Sequence, residues 1–264
     1  MKNHFMYDIT PHIAEIYDQT VNQYDDVQLI QKLIGDSSQL RILEAFCGTG
    51  RILIPLAIAG HHVVGLDKAL GMLSRAKAKV ENLDKATQSR ISLFETDVLQ
   101  GEWTYGEFDL VILGGNCFYE LSTPEEQKKC IMNASSILKH GGYIYIDNDY
   151  MEGGLDPSWQ TPGIHSGFPT GICNDGTSVE TCMETIWFNI PNRLATFRRL
   201  TRIKFPDGNT IENEYFQQKH PVSTLEVQSW LEALGFIIEY MYGDRQGNPY
   251  SEESPKAIFW ARKS

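Results

Sequence analysis

The amino-acid sequence predicts an α/β fold, in which a doubly wound and mostly parallel sheet carries an antiparallel β insertion after its fifth strand. Three observations support this fold class. Strand-like and helix-like segments alternate from about residue 40 to residue 147, which is the pattern of a parallel sheet covered by helices. A glycine-bearing loop joins the first of these strands to a helix. Beyond residue 176, β-rich segments separated by turn residues replace the helices.

The elements of the alternating region follow from apolar periodicity and from helix start and stop residues. Two helices, at residues 11–19 and Asp25–Ile34, precede this region, and the second ends near Gly35. The predicted strands are residues 41–46, 62–66, 91–95, 108–113 and 143–147, and the predicted helices are residues 51–59, 70–83 and 124–138. Thr123 is placed to cap the last of these helices.

The alternation stops after the fifth predicted strand. Residues 151–176 are rich in Gly, Pro, Asp, Ser and Thr, a composition that predicts a long loop or lid. Three antiparallel strands are then expected at residues 178–189, 194–205 and 210–218, since turn sequences separate them.

A capping box, Ser223 with Glu226, starts a further helix that ends at residue 234. Two final strands, at residues 236–242 and 257–262, are expected to pair as a hairpin-like edge. We therefore assign residues 1–150 and 220–264 to one domain and residues 151–219 to the insertion.

Composition narrows the class of protein. The chain has 264 residues, 42% of them hydrophobic, and a formal net charge of −11. Phosphate backbones repel an acidic protein, so the charge argues against a nucleic-acid partner. The most basic stretch lies among strand-like residues flanked by acids, and we interpret it as a solvated strand face. It comprises Arg193, Arg198, Arg199, Arg202 and Lys204.

Cysteine usage and hydropathy predict a cytoplasmic protein without a membrane partner. The five cysteines form no CxxC pair and no cluster at metal-ligand spacing, so we expect reduced thiols and no metal site. Residues 1–10 are polar, unlike a signal peptide, and no apolar run is long enough to span a bilayer.

The strongest functional signal is the loop after the first predicted strand. It reads Leu43-Glu44-Ala45-Phe46-Cys47-Gly48-Thr49-Gly50. Open α/β folds bind ligands at this carboxyl edge of the sheet, and glycines there let a ligand approach the backbone closely. Asp67 ends the second predicted strand, where an acid can accept hydrogen bonds from both ribose hydroxyls of an adenosine.

A dinucleotide-dependent oxidoreductase would share these features and is one alternative. In this chain, however, Leu53 replaces the third glycine of the dinucleotide fingerprint, which serves the approach to a pyrophosphate. Glu44 also precedes the loop. A carboxylate there disfavours a pyrophosphate and tolerates a ligand with an amino group and a sulfonium.

Five segments, in order, resemble the signatures of the class I S-adenosylmethionine-dependent methyltransferases, which have a Rossmann-like fold. They are Glu44-x-x-x-Gly48-x-Gly50, Asp67 with Met72-Leu73, Thr96-Asp97-Val98, Phe108-Asp109-Leu110-Val111 and Leu138-Lys139-His140-Gly141-Gly142. Each segment alone is weak, whereas the five together are specific. The resemblance implies S-adenosylmethionine as cofactor and methyl transfer as reaction.

The same resemblance implies roles for individual residues. The ribose of the cofactor would meet Asp67, and the sulfonium would lie over Gly114 and Gly115. The methionine part would border Glu44, Ala45, Gly48 and Gly50. The adenine would lie near Lys68, Met72, Asp97 and Val98. Tyr17 and Tyr24 resemble aromatic residues that cover the donor in this family. For Met72 and both tyrosines, ordinary packing is an equal alternative.

Within the family, the chain is nearest to small-molecule N-methyltransferases, including those of glycine, sarcosine and sugars. Asn116 stands where such enzymes place an amide facing the substrate. Glycine methyltransferases carry a carboxylate-clamping arginine two residues past the strand-five aspartate, where this chain has Asp149. A carboxylate there would repel an amino-acid carboxylate, so the sequence favours a cationic or hydroxyl-bearing acceptor.

Catalysis is expected to rest on positioning, because methyl transfer from a sulfonium is an in-line displacement. The predicted catalytic residues are Asn116, Asp149 and Glu120, of which either carboxylate could take a proton from an amine. Asn148 and Tyr150 flank Asp149, either in the site or in a turn. Aromatic residues of the insertion could line a substrate pocket, form a core or make a homodimer contact. They are Trp159, Phe168, Trp187 and Phe188.

Two further functions are open at this stage. The first is a protein that binds the cofactor without catalysis. The second is a nucleic-acid or protein methyltransferase. The net charge of −11 and a missing motif argue against a nucleic-acid substrate. Gly114-Gly115-Asn116-Cys117 stands where base methylation would require an Asn-Pro-Pro-Tyr-type sequence.

Overall fold

A computed structural model of the chain describes residues 7, 9–37, 39–100, 103, 105–149, 163–189 and 191–264. The helices are α1 (Pro11–Thr20), α2 (Asp25–Ile34), α3 (Leu53–Ile58), α4 (Leu70–Glu81), α5 (Lys85–Gln88), α6 (Pro124–Ile137) and α7 (Thr224–Ala233). A single 3₁₀ turn at Cys117–Glu120 follows the fourth strand. These positions agree with the predicted helices to within a few residues at each end, and α5 is an addition.

The strands are β1 (Arg41–Ala45), β2 (His62–Asp67), β3 (Ile91–Glu95), β4 (Phe108–Leu113), β5 (Leu138–Asp149), β6 (Ile164–Ile172), β7 (Ser178–Asn189), β8 (Leu194–Lys204), β9 (Thr210–Lys219), β10 (Phe236–Tyr242) and β11 (Lys256–Lys263). They form a seven-stranded sheet of order β10-β11-β5-β4-β1-β2-β3 and a four-stranded sheet of order β6-β7-β8-β9.

The larger sheet confirms the predicted fold class. Strands β1 to β5 pair in parallel, with β1 between β2 and β4. The final two strands pair antiparallel as expected, but β11 also pairs with β5. It therefore lies inside the sheet, and β10 alone forms that edge.

Alternating side chains of the parallel strands supply a core on each face of the larger sheet. On β5, Ile144 and Ile146 pack with α6 and α7 residues, whereas Tyr145 packs on the other face with α2 and α3 residues. Both faces are buried, which explains why these strands are continuously apolar rather than alternating with polar residues.

The smaller sheet is the predicted antiparallel insertion, and α1 joins it to the larger sheet. Ile13 and Ile16 of α1 pack against Val179, Ile203 and Tyr215 of the insertion. Ala14, which directly follows Ile13, packs against Ala69 and Met72 at the start of α4. The insertion and the parallel domain therefore share one apolar helix.

The predicted loop at 151–176 is wrong over Ile164–Ile172, which forms β6 and pairs with β7. Glycine and proline suggested a loop, but Gly171 lies where a Cβ would stand 3.0 Å from the Ile16 side chain. Close packing of α1 explains this glycine. Strand β5 is also longer than predicted, because Leu138 already pairs with Phe108.

Candidate active site

The bend after β1 is built from left-handed backbone. Phe46, Gly48 and Gly50 have φ values of 61°, 53° and 79°, a region that glycine adopts without steric cost. Space is also limited, since a Cβ on Gly48 would lie 3.3 Å from the Met72 Cε and one on Gly50 3.0 Å from Ile54. The non-glycine Phe46 stores strain at this edge, as residues next to ligand sites often do.

Asp67 ties the bend to the end of β2. Its Oδ2 accepts a hydrogen bond from the Gly48 N–H at 2.8 Å, and its Oδ1 accepts one from the Ala69 N–H at 2.8 Å. An ionised carboxylate has about four acceptor positions, and these two backbone contacts occupy two of them. The structure thus brings Gly48, Asp67 and Met72 together, as the sequence predicts.

Glu44 is a buried carboxyl group beneath the bend. The residue is 5% exposed, and its Oε2 has no hydrogen-bond partner within the described part of the chain. Burial raises the pKa of Glu44 well above its ordinary value, although the Arg51 charge lowers it. A buried acceptor without a donor is costly, and an amino group such as that of a methionine moiety would satisfy it.

The residues predicted around the adenine lie at the ends of β2 and β3. The Asp97 Oδ1 accepts the Leu99 N–H at 3.0 Å. Val98 is buried, and its carbonyl oxygen accepts hydrogen bonds from the Trp103 indole and the Asn133 amide, each at 3.1 Å. Met72 is buried and Lys68 is exposed.

Glycine is also required after β4. A Cβ on Gly114 would lie 2.8 Å from the Ile52 Cδ1, and Gly115 and Asn116 both have left-handed φ values, 64° and 63°. Together with the fully buried Ala45, these residues form a backbone surface next to the bend.

Asn116 presents a fixed amide at this edge. Its Nδ2 donates to the Asp149 Oδ2 at 2.7 Å, and its backbone N–H donates to the Asp147 carbonyl oxygen at 3.1 Å. A carboxylate can only accept hydrogen bonds, so the Asn116 amide atom that faces Asp149 must be the nitrogen. Its Oδ1 is buried and accepts no hydrogen bond from any described residue. Asn116 therefore offers one unused acceptor.

Asp149 is not the free carboxylate that the sequence suggested. The Lys256 Nζ lies 2.6 Å from its Oδ1, so an opposite charge neutralises it. The exclusion of an amino-acid acceptor depended on repulsion by Asp149, and that exclusion loses its physical basis. Asn148, on the opposite face of β5, is 3% exposed. Tyr150 lies outside the described residues.

A buried ionic network supports the Asn116–Asp149 pair. The ion pairs of this network were not predicted from the sequence. Asp26 of α2 pairs with both terminal nitrogens of Arg51, at 2.7 Å for the Asp26 Oδ1. Arg245 lies 3.7 Å from Asp26 and 2.8 Å from Asp147. Lys256 contacts Asp147 at 3.7 Å as well as Asp149. The partners lie in distant segments, and the only sequence signal was an acid on the apolar face of α2.

The N-terminal region covers the site from α1. Tyr17 makes edge-to-face contacts with Tyr7 and Phe168, at ring-centroid distances of 6.4 Å and 5.9 Å. Burial raises the pKa of Tyr17, and the Cys117 thiol is the next largest contributor. Tyr17 therefore lies between the bend and the insertion. Tyr24, at the start of α2, is 47% exposed.

Phe168 is the insertion aromatic that the structure brings to Tyr17. Trp187 is 47% exposed, and Phe188 packs against Ala195 and Phe197 within the insertion. Trp159 lies outside the described residues. The three described aromatic residues thus have different surroundings.

Glu120 lies at the end of the 3₁₀ turn and meets the insertion. It forms an ion pair with the buried Lys219 ammonium and accepts a hydrogen bond from the Gln217 Nε2 at 2.6 Å. Desolvation opposes ionisation, but the Lys219 charge lowers the pKa of Glu120. A carboxylate with a lowered pKa is a weak proton acceptor, so the structure favours a role in holding Lys219.

An open depression lies at the edge of the larger sheet opposite the bend. It encloses about 620 Å³ and is lined by Asp109, Gly142, Tyr143 and Trp260, near the amino ends of β4 and β5. Ligands of open α/β sheets bind at the carboxyl ends of the strands. The bend, Asp67 and Asn116 all lie at those carboxyl ends, and we place the active site there.

Neither a metal site nor a membrane span is found in the described ranges. They contain no group of three His, Cys, Asp or Glu residues placed to hold a metal ion. None of the helices in these ranges is long and apolar enough to cross a bilayer.

Comparisons with known proteins agree with the fold. Residues 42–142 match the family model described as a methyltransferase domain. A glycine/sarcosine N-methyltransferase of Aphanothece halophytica is 24% identical, over 99% of this chain and 92% of the relative. An S-adenosylmethionine-dependent methyltransferase from Clostridium acetobutylicum superposes with a TM-score of 0.73 at 15% identity, covering 96% of this chain and 98% of that one.

The cofactor has a structural precedent too. An amino pentose methyltransferase from Micromonospora echinaspora, solved with S-adenosylmethionine bound, matches with a TM-score of 0.62 at 18% identity, over 94% of this chain and 92% of that one. The fold and the methyltransferase domain thus define a Rossmann-like enzyme that uses S-adenosylmethionine. The chain carries a methyltransferase domain at residues 42–142 and is an S-adenosylmethionine-dependent methyltransferase.

Proposed function

We propose that this methyltransferase transfers the methyl group to the amine nitrogen of a small molecule. The observation that carries the proposal is the fixed Asn116 amide, whose Oδ1 is buried and accepts no hydrogen bond from the described residues. An amine N–H would satisfy this acceptor. Similarity to enzymes named glycine/sarcosine N-methyltransferase supports the same choice.

The cofactor would be held by the bend and by the ends of β2 and β3. We propose that Asp67 holds the ribose, that the backbone at Ala45, Gly48 and Gly50 borders the methionine part, and that Glu44 meets its amino group. The unsatisfied Glu44 Oε2 and the crowded positions of Gly48 and Gly50 support this assignment. The adenine would lie against Met72 and near Asp97, Val98 and Lys68. When bound, S-adenosylmethionine supplies an electrophilic methyl group on a sulfonium.

Asn116 would then orient the acceptor. By accepting an amine N–H, its Oδ1 turns the nitrogen lone pair toward the region above Gly114 and Gly115. Asp149 holds the amide in this orientation through the 2.7 Å hydrogen bond. Positioning of this kind supplies much of the rate of an in-line displacement. Tyr17 excludes water from the donor side, and the exposed Tyr24 is proposed only as an outer cover.

The two carboxylates have different proposed roles. Asp149, 42% exposed, can pass the proton released by the methylated amine to water. Glu120 instead holds Lys219 at the insertion.

We further propose that the insertion, residues 151–219, covers the acceptor, while residues 1–150 and 220–264 bind the cofactor. The five unpaired cysteines support a cytoplasmic location.

Paired acceptors test the proposal. Release of S-adenosylhomocysteine and product mass would be followed with small amines and with their hydroxyl analogues, and we expect methylation of the amines at nitrogen. Asn116→Gly, which tolerates the left-handed backbone, should lower turnover at least about tenfold with unchanged cofactor affinity. The matched control Asn82→Gly alters an exposed amide at the C-cap of α4. Equal methylation of hydroxyl analogues, or full activity of Asn116→Gly, would refute the proposal.

A further inference from the structure

Three neighbouring arginines of β8 have different environments. Arg198 and Arg202 point outward, where their Nε atoms pair with Glu214 at 2.5 Å and Glu212 at 2.8 Å. Because side chains alternate along a strand, Arg199 shares the inward face with Phe197 and Thr201, both buried. The interpretation of this stretch as a solvated face therefore holds for Arg198 and Arg202 and fails for Arg199.

Arg199 lacks a counter-ion of its own. It makes no ion pair with the residues the structure describes, and its only hydrogen bond there is a weak one, from Nη1 to the Phe168 carbonyl oxygen at 3.4 Å. Its Nε is buried and donates to none of those residues. A buried Nε without an acceptor is unfavourable, and a carboxylate can accept from a guanidinium with two parallel hydrogen bonds.

Arg199 and Lys219 both lie near the Glu120 carboxylate. Across the sheet, Tyr215 pairs with Arg199 in register, and Lys219 lies two alternations further along β9. Lys219 is 3% exposed and takes Glu120 as its partner. Among the described residues, Glu120 forms an ion pair with Lys219 and none with Arg199. The Gln217 Oε1, on the same face of β9, is another buried acceptor that no described residue satisfies.

Arg199 is also connected to the proposed methyl-transfer site. Phe168, which accepts the hydrogen bond from Arg199, contacts the Tyr17 ring. Glu120, whose pKa responds to the Arg199 charge, ends the 3₁₀ turn that begins directly after Asn116. One such turn spans roughly 6 Å. Arg199 is thus linked to the Asn116 region through Glu120, and to Tyr17 through Phe168.

We propose that Arg199 is an anion-binding residue for the methyl acceptor, so that the acceptor carries a carboxylate as well as its amine. This inference rests on the proposed N-methylation. The carboxylate would be bound by a residue of the antiparallel insertion, and the position two residues past Asp147, occupied by Asp149, would not bind it. Arg199 determines specificity and leaves the methyl-transfer chemistry to the residues around Asn116.

Amino acids compared with their neutral amides test the inference. Glycine and sarcosine would be assayed against glycinamide and sarcosinamide, by release of S-adenosylhomocysteine. We expect the wild-type enzyme to favour the acids at least about tenfold in kcat/KM, since a site built for a charged group rejects analogues lacking it. Arg199→Gln should abolish that preference through KM, and Arg199→Lys should restore part of it. Arg198→Gln, on the outward face, is the matched control and should keep it.

Cofactor affinity, measured by calorimetry, reports whether each variant is folded. If the wild-type enzyme methylates amides as well as acids, or if Arg199→Gln retains the preference for acids, the anion site is refuted while N-methylation stands. If the wild-type enzyme methylates no amine in either series, the proposed function fails and this inference fails with it.

Discussion

Asp67 shows how one side chain can organise a binding edge. It holds two backbone N–H groups from different loops, each at 2.8 Å, and so fixes the bend where the donor is proposed to lie. The position of Asp67 beside the bend was predictable from sequence, because the acid and the glycines are local features at the ends of adjacent strands, whereas its two backbone contacts were not. The partner of Asp149 was not predictable, because Lys256 lies 107 residues away along the chain.

Removal of the Asp67 carboxylate should weaken cofactor binding. Asp67→Ala loses both backbone contacts and the proposed ribose contacts, and we expect at least about a tenfold increase in the Kd for S-adenosylmethionine. Isothermal titration calorimetry measures this directly. Asp84→Ala, which changes an exposed helix cap on α5, is the control. Unchanged affinity in Asp67→Ala would contradict the ribose assignment.

Asp149 should matter more for turnover than for cofactor affinity. Asp149→Asn removes the charge that neutralises Lys256 and weakens the acceptor that orients Asn116. We expect kcat to fall roughly tenfold or more, with the cofactor Kd within about twofold of wild type. Steady-state kinetics and calorimetry separate the two effects. An equal loss in both would remove Asp149 from the acceptor site.

At the scale of elements, α2 is attached to the site by charge as well as by apolar packing. Its Asp26 is fully buried and pairs with Arg51. Desolvation opposes ionisation, but the Arg51 hydrogen bonds and charge lower the pKa of Asp26. Apolar spacing predicted the helix, whereas the identity of its ionic partner depends on tertiary structure.

Loss of the buried partner should destabilise the fold strongly. Asp26→Ala leaves Arg51 buried with an incomplete set of acceptors, and we expect a loss of about 3–5 kcal/mol in the free energy of unfolding. Asp25 is the more exposed neighbour of Asp26, and its carboxylate lies 3.5 Å from Arg245. Asp25→Ala removes this ion pair and should cost less than about 1 kcal/mol in the free energy of unfolding. Urea denaturation provides both values. Similar losses in the two variants would show that Asp26–Arg51 is not a structural ion pair.

The capping box of α7 gives a pH-dependent prediction. Burial opposes the shift, but hydrogen bonds from His220 and from Ser223 lower the pKa of Glu226 from 4.5 to about 2. Because the folded-state pKa is below the unfolded one, the stabilisation is complete above pH 4.5 and is lost as the pH falls toward 2.

The variant Glu226→Gln isolates this contribution. Compared with wild type, it should be less stable by on the order of 2 kcal/mol at neutral pH, and the difference should shrink as the pH falls below about 4.5. Denaturant unfolding at pH 3.5, 5 and 7 measures the difference, with exposed Glu232→Gln as control. A difference that does not change with pH would mean that Glu226 acts without its charge.

Over the whole molecule, two sheets and the helix between them create the site. The parallel sheet was predictable, because each strand and helix has its own local apolar pattern. The role of the insertion was not, because α1 determines how β6 packs and because Arg199 and Lys219 depend on partners from other elements. The candidate cofactor residues could be proposed from sequence, whereas the acceptor residues required three-dimensional contacts.

The proposed function depends on where S-adenosylmethionine binds. A crystal structure of the chain with S-adenosylhomocysteine tests this most directly. We predict that both ribose hydroxyls contact the Asp67 carboxylate, that the amino group contacts Glu44, and that the sulfur faces Gly114–Asn116. A product bound elsewhere, or a bend after β1 that stays empty at saturating product, would contradict the account.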